Sequence, residues 1–272
     1  MTAKECAEVT FFMVGCQRSG TTWTDAALRD HPAIFLPESK QSYFFDRNYD
    51  KGLDWFMKRF DGAESTHIAV GEIATGYCLQ NAIPHMAKHF PHVQLLMVMR
   101  NPIDRAYSNY QTRKTECGWT SFEQALEADP EFLERGLYIQ QAEALLKYYD
   151  RDKILFLFYD DLNKDDRRYL KSILDFLGVD ASRESKLFGQ RKNAALFPRL
   201  RKWLGVFGLD YFIKKTSRSS VGDWIRRSRK NKGKAYQPMK PETKEKLTEY
   251  FRPFNNQLSS LLQRDLSHWN GE

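Results

Sequence analysis

Apolar positions along this chain fall into short unbroken runs, separated by longer stretches in which they recur every three or four residues. The runs Val9 to Gly15, His67 to Gly71, Val93 to Met99 and Lys153 to Phe158 read as strands, with a further short strand or turn near Ile34 to Leu36. Continuous apolar runs of this length suit strands buried on both faces. The intervening spacing predicts helices over Thr21 to about Arg29, Leu53 to Phe60, Asn81 to Phe90 and about Glu131 to Tyr149. His31-Pro32 stops the first of these, and Pro102 sits where another begins. Tyr169, Leu170, Ile173, Leu174 and Leu177 make one stripe of an amphipathic helix that Gly178 ends. Lys40 to Asp46 reads as an aromatic-rich loop. A last helix, about Pro241 to Leu262, carries Leu247, Phe251, Phe254, Leu258 and Leu261 on its apolar side, and Pro253 is expected to bend or interrupt it.

Strands alternating with helices predict an α/β fold, a central parallel sheet flanked by helices, and 272 residues suit a single domain over 1–272. Residues 190–235 differ in character. Between Lys214 and Lys234 there are nine Lys/Arg and one acid, Asp223, and the segment reads as a variable basic lid, a pocket wall or simply packed helices. The formal charge of +7 suggests an anionic ligand, a nucleic acid or a membrane surface without choosing among them. The four cysteines, Cys6, Cys16, Cys78 and Cys117, show no paired spacing, so structural thiols are expected, with no disulfide framework and no metal site. No apolar run reaches the roughly 18 residues of a membrane span. The N-terminus lacks a basic region followed by a long apolar one, which predicts a cytoplasmic location.

The stretch with the most chemistry is Gly15-Cys16-Gln17-Arg18-Ser19-Gly20-Thr21-Thr22-Trp23, placed between a predicted strand and a predicted helix. There a glycine-bearing loop aims backbone N–H groups at an anion, and the helix N-terminus adds its dipole. The spacing approaches GxxxxGK[ST], but Thr21 stands at the lysine position and the basic residue has moved into the loop as Arg18. The strand ending at Met99 delivers Arg100 where a magnesium–triphosphate site wants an acid. Ser108 follows about two helical turns later, so an arginine fork and a hydroxyl can meet on one phosphate. The pattern points to a phosphate held by arginine and backbone. The bland reading is an ordinary strand–helix turn with a surface ion pair. Asn231-Lys232-Gly233-Lys234 is either a solvated turn or a loop that folds over a nucleotide.

Taken in order, these elements resemble the PAPS-dependent sulfotransferase superfamily, whose donor is 3′-phosphoadenosine 5′-phosphosulfate. The resemblance spans roughly residues 9–180 and 230–262. It rests on Arg18-Ser19-Gly20-Thr21-Thr22-Trp23 as the 5′-phosphosulfate loop, Arg100 with Ser108 as the 3′-phosphate motif, Leu157-Phe158-Tyr159-Asp160-Asp161-Leu162, and Lys232-Gly233-Lys234 as the nucleotide loop. It implies a P-loop-like fold, PAPS as donor and PAP as product with no metal, Trp23 stacking on adenine and Tyr159 reaching the nucleotide. Plain core packing is the other reading of both aromatics. Lys40-Gln41-Ser42-Tyr43-Phe44-Phe45-Asp46 resembles Lys-Glu-x-His-Phe-Phe-Asp of the carbohydrate, heparan-type branch. Here Gln41 replaces the usual glutamate base, Tyr43 the histidine, and Ile73 a lysine of a second motif, Gly71 to Tyr77.

Sulfuryl transfer requires an in-line arrangement and neutralisation of the leaving oxygen, for which Arg18 is the best placed residue, with loop N–H groups and Thr21/Thr22 hydroxyls helping. Lys40 either rides on the sulfuryl oxygens or is a solvated lysine. Glu72, expected at a strand end, is the leading general base, against a structural carboxylate paired with an arginine; His67 and His85 are further options. The acceptor is a small metabolite or carbohydrate offering a hydroxyl or an amine-type nitrogen. The rivals are a P-loop nucleoside or metabolite kinase, which needs magnesium, and a basic polyanion binder using Lys214 to Lys234, whose affinity falls steeply with salt. Neither nucleic acid nor membrane is an expected partner, and oligomeric state is not legible.

Overall fold

The computed structural model describes residues 8–79, 81–183, 185, 187–189 and 238–271. In chain order its elements are β1 (Phe11–Gly15), α1 (Thr21–Arg29), β2 (Ile34–Phe35), α2 (Phe44–Arg47), α3 (Leu53–Met57), β3 (Ala69–Ile73), α4 (Ile83–His89) and β4 (Gln94–Met99). There follow α5 (Pro102–Cys117), α6 (Phe122–Ala128), α7 (Glu131–Glu134), α8 (Tyr138–Leu146), β5 (Ile154–Phe158), α9 (Tyr159–Lys164), α10 (Asp166–Phe176) and α11 (Pro241–Leu262).

The five strands form one sheet in the order β2-β3-β1-β4-β5, and every pairing is parallel. Because successive side chains point to opposite faces, the apolar run of β1 supplies two cores. Phe12 and Val14 join one with Leu95, Met97 and Met99 of β4, while Phe11 and Met13 join the other with Leu96 and Val98. The first core is covered by α4, α8 and α11, the second by α1 and α10. From β1 the chain runs out to the edge strand β2, returns through β3 beside β1, and then crosses to β4 on the other side. The crevice beyond the carboxyl ends of β1 and β4 is therefore the switch point where open α/β sheets bind ligands.

Local chemistry sets the helix ends. Asn101 caps α5 by accepting from the amides of Ile103 and Asp104, Pro102 follows at the first helical position, and Gly118 closes the helix at φ 71°. The carboxylate of Asp165 caps α10 by accepting from the Arg168 amide at 2.9 Å.

Three expectations differ from the structure. The helix read over Glu131 to Tyr149 is broken between α7 and α8. A Cβ on Gly136 would lie 2.8 Å from the Phe251 ring and 2.9 Å from Pro102, so the backbone there closes directly on α11 and α5. The segment Lys40 to Asp46 is not all loop, since α2 begins at Phe44. Finally, α11 is not interrupted at Pro253. Glu249, whose carbonyl loses its donor there, is exposed, and water can serve it. No helix among the described residues is long and apolar enough to cross a membrane.

Candidate active site

Beyond β1 the chain turns through Cys16 to Gly20 and enters α1 directly. Gly20 holds φ 90°, and a Cβ there would lie 2.9 Å from Leu162 and 3.0 Å from the Tyr159 ring. Only glycine combines that backbone angle with that approach. The Ser19 amide donates to the Cys16 carbonyl at 3.3 Å, tightening the turn. The amides of Gly20, Thr21 and Thr22 have no backbone acceptor among the described residues, and no acid stands in the first turn of α1. That is the donor set and polarity of an anion cradle.

The second cradle lies against the first. Arg18 Nε donates to Ser108 Oγ at 3.1 Å, and Arg100 Nη1 reaches the Arg18 carbonyl at 3.5 Å. Arg100 lies over the Tyr159 ring, 4.7 Å from its centroid, and its Nε is enclosed without an acceptor among the described residues. Its carboxylate neighbour, Asp104, is mostly exposed and 3.7 Å away. Asn101 donates to the Trp269 carbonyl at 3.4 Å, and Trp269 Nε1 donates to Asp160 at 2.9 Å, so the chain's last turn ties the ends of β4 and β5 together. Trp23 packs edge-on against Tyr169, with ring centroids 6.1 Å apart.

Lys40 crosses to the start of α1, where Nζ donates to the Thr21 carbonyl at 2.9 Å and meets the Thr21 hydroxyl at 3.4 Å. The residue is half-exposed, but its ammonium end is buried. Desolvation pushes it down to about 8; Asp25 opposes this and Arg29 reinforces it. The neighbouring Gln41 is oriented by Thr75, whose amide and hydroxyl both donate to Gln41 Oε1 at 3.2 Å.

Glu72 departs from its expected place. It lies within β3 rather than at its end, and it is completely buried. One carboxylate oxygen accepts from the Ser42 amide and from Arg59 Nη2 at 3.1 Å; the other accepts from the Ser42 hydroxyl at 3.0 Å and the Tyr77 hydroxyl at 2.9 Å. A carboxylate has about four lone-pair sites, and all four are engaged within the protein. Burial holds its pKa above the ordinary carboxylate value, against the pull of Arg59. Glu72 is a post to which the Ser42 backbone is tied, not a group with room to receive an acceptor's proton.

The structure thus brings together Arg18, Ser19, Gly20, Thr21, Thr22, Trp23, Arg100, Ser108 and Tyr159, with Lys40 alongside. Lys232, Gly233 and Lys234 lie outside the described residues. Cys16, Cys78 and Cys117 are free thiols, and among the described residues no group of three or more His, Cys, Asp or Glu could hold a metal.

A parallel sheet with a glycine-bent loop, an arginine in that loop and a second arginine at the adjacent strand end defines an α/β protein with a cationic crevice at the switch point of its sheet. A family model described as sulfotransferase domain matches residues 9–263, and the chain belongs to that family. It is 26% identical over 271 residues to heparan sulfate glucosamine 3-O-sulfotransferase 3A1 of Mus musculus, covering 95% of this chain and 64% of that protein. It is 28% identical over 278 residues to bifunctional heparan sulfate N-deacetylase/N-sulfotransferase 2 of Bos taurus, covering 93% and 29%. The chain therefore spans less than two thirds of these relatives' lengths. The fold matches a crystal structure of a sulfotransferase from Alicyclobacillus acidocaldarius with a TM-score of 0.71 and 23% identity, over 97% of this chain and 99% of the other.

Proposed function

We propose that the protein transfers a sulfuryl group from PAPS to a hydroxyl or amine nitrogen of a carbohydrate or small-molecule acceptor, releasing PAP and using no metal ion. The observation that carries this reading is the convergence of Arg18, Ser108 and Arg100 beyond the ends of β1 and β4, beside the open amides that begin α1. In this reading the α1 amides and Arg18 hold the 5′-phosphosulfate, Arg100 and Ser108 hold the 3′-phosphate, and Trp23 and Tyr159 flank the adenosine.

The chemistry follows from charge. As the acceptor attacks sulfur in line, the S–O bond to the 5′-phosphate breaks and negative charge grows on the leaving oxygen. In this reading Arg18 neutralises that charge, and Lys40, whose Nζ donates to the Thr21 carbonyl, serves the sulfuryl oxygens. Support for a carbohydrate acceptor comes from relatives whose names specify heparan sulfate glucosamine O-sulfation and N-sulfation. A kinase is disfavoured because Thr21 occupies the lysine position and Arg100 the position of a metal-holding acid.

The test is transfer of label from sulfur-labelled PAPS to heparan sulfate oligosaccharides and to a panel of phenols, alcohols and amines. Transfer that is lost in Arg18→Ala and shows a raised donor KM in Arg100→Ala supports the reading; full turnover in both variants ends it.

A further inference from the structure

Arg105 lies on α5 less than one turn before Ser108, and it takes no part in the contacts described so far. It is completely buried. Its Nη2 donates to the Phe132 carbonyl, while Nε and Nη1 have no acceptor among the described residues. No carboxylate among the described residues pairs with it, whereas Arg59, the other arginine turned inward, meets Glu72. A buried cation without a counter-charge is costly, and it persists only where another interaction offsets the cost.

The position of Arg105 indicates what that interaction is. The ionisable groups that face it are Tyr138, Cys16, Arg135 and Cys78. Cys16 is the first residue of the phosphate loop, and its amide donates to the Val98 carbonyl of β4 at 2.7 Å. The Tyr138 phenol faces Cys16 and Arg105, and it also meets the Arg100 amide and the Ser19 side chain. Arg105 therefore stands behind the base of both cradles. Burial holds the Tyr138 phenol above its ordinary value, so it is neutral, and burial likewise pushes the Cys16 thiol up. Cys78, drawn down by its hydrogen bond with Cys16 and by Arg135 and Arg105, is the rival counter-charge.

We propose that Arg105 is an electrostatic residue of the donor site, its charge unbalanced in the ligand-free protein and balanced by the phosphates of bound PAPS or PAP. The proposal rests on the sulfotransferase reading. Arg105 touches neither the nucleotide nor the reacting atoms. It acts through the protein interior, where water and salt screen it little. Two unit charges about 10 Å apart, at an effective dielectric constant of about 20, change an affinity by about tenfold or more. Arg18 and Arg100 direct the anion from the crevice, and Arg105 deepens the potential beneath it.

Two consequences of opposite sign follow. Burial lowers the Arg105 pKa from its ordinary value, as expected of a charge that the fold disfavours, although a guanidinium stays protonated. Removing the charge therefore relieves the ligand-free protein, and it weakens the complex with an anion. An arginine kept for its packing behaves otherwise, since its loss lowers stability and leaves anion affinity in place.

The experiment compares wild type with Arg105→Gln, Arg105→Met and Arg105→Lys. Thermal melts are recorded without ligand and with PAP, and affinities for PAP and for adenosine 5′-phosphate are measured by calorimetry. We expect the neutral variants to melt at or above the wild-type temperature without ligand, and to gain less from PAP. Their PAP Kd rises by about tenfold or more, and their loss of adenosine 5′-phosphate, with one phosphate fewer, is smaller. Arg105→Lys keeps PAP affinity within about threefold of wild type. Neutral variants that fail to fold or melt below wild type overturn the proposal, and so does an unchanged PAP affinity. A thiolate absorbance in the ligand-free wild type at neutral pH that Cys78→Ser removes would place the counter-charge on Cys78 and overturn it as well. Failure of wild type to bind PAP would instead refute the donor reading, so the two failures are distinct.

Discussion

Arg18 Nε donates a hydrogen bond to Ser108 Oγ at 3.1 Å, joining residues 90 positions apart. Arg18 belongs to the loop after β1 and Ser108 to the second turn of α5, so the contact merges the two cradles into one cationic floor. A serine hydroxyl is a neutral acceptor, and it holds the guanidinium in place without cancelling its charge.

The two residues should therefore fail differently. Arg18→Ala should lower kcat by about 10²- to 10³-fold, the effect of losing a donor aimed at developing charge. Ser108→Ala removes one hydrogen bond involving a charged group, and donor Kd should rise about tenfold while kcat falls less. Isothermal titration with PAP and steady-state kinetics with PAPS separate the two. Equal loss of kcat in both variants would show that Ser108 acts on the reacting atoms.

Glu72 should prove to be a stability residue. In Glu72→Ala, Arg59 keeps its half-buried position but loses its carboxylate, and Ser42 and Tyr77 lose their acceptor. Breaking a buried pair in this way costs about 3–5 kcal/mol, readable as a fall in the urea unfolding midpoint. Glu72→Gln, which keeps one acceptor oxygen, should fall between. A large loss of kcat with an unchanged midpoint would return the proton-accepting role to Glu72.

The loop after β1 and the junction after β4 were legible in the sequence because their spacing is local. A strand, a glycine-bent loop and a helix start are contiguous from Val9 to Arg29, and Arg100 and Ser108 share one strand–helix junction. The surroundings of Glu72 were hidden because they depend on contacts between segments. Nothing in the spacing of Ser42, Arg59, Glu72 and Tyr77 says that they meet, so a buried, saturated carboxylate reads like a free one. The burial of Asp46 was hidden for a similar reason, since it follows Phe44 and Phe45, both fully packed in the core beside Phe56, and so reads as the polar end of an aromatic run. Trp269 lies beyond the last predicted helix, where only its fully buried indole and its bonds to Asn101 and Asp160 reveal that it ties the ends of β4 and β5.

Nucleotide binding should not depend on a divalent metal. Arg100 stands where a magnesium–triphosphate site needs a metal-holding acid, Thr21 stands at its lysine position, and the nearby Asp104 faces solvent beside Arg100. PAP affinity in excess EDTA should match that in magnesium within about twofold, whereas MgATP should bind at least tenfold more weakly than PAP. A PAP affinity that collapses in EDTA and returns with magnesium would refute this.

Lys40 offers a proton-linked test of where the donor's charge lies. With its ammonium at about 8 rather than the ordinary 10.5, the residue is close to half neutral at pH 8. An anion arriving at the start of α1 favours the charged form and draws a proton from solvent. Binding of PAP at pH 8 should take up about half a proton, seen as a calorimetric enthalpy that varies with the ionisation heat of the buffer. Lys40→Arg stays charged throughout and should abolish the uptake while retaining affinity. The sign for folding runs the other way. Between about 8 and 10.5 the unfolded chain binds more protons at this site than the folded one, so Lys40's contribution to the stability of the ligand-free protein rises with pH across that window. Lys40→Met should flatten that rise in thermal melts. A buffer-independent binding enthalpy in wild type would place the donor's charge out of reach of Lys40.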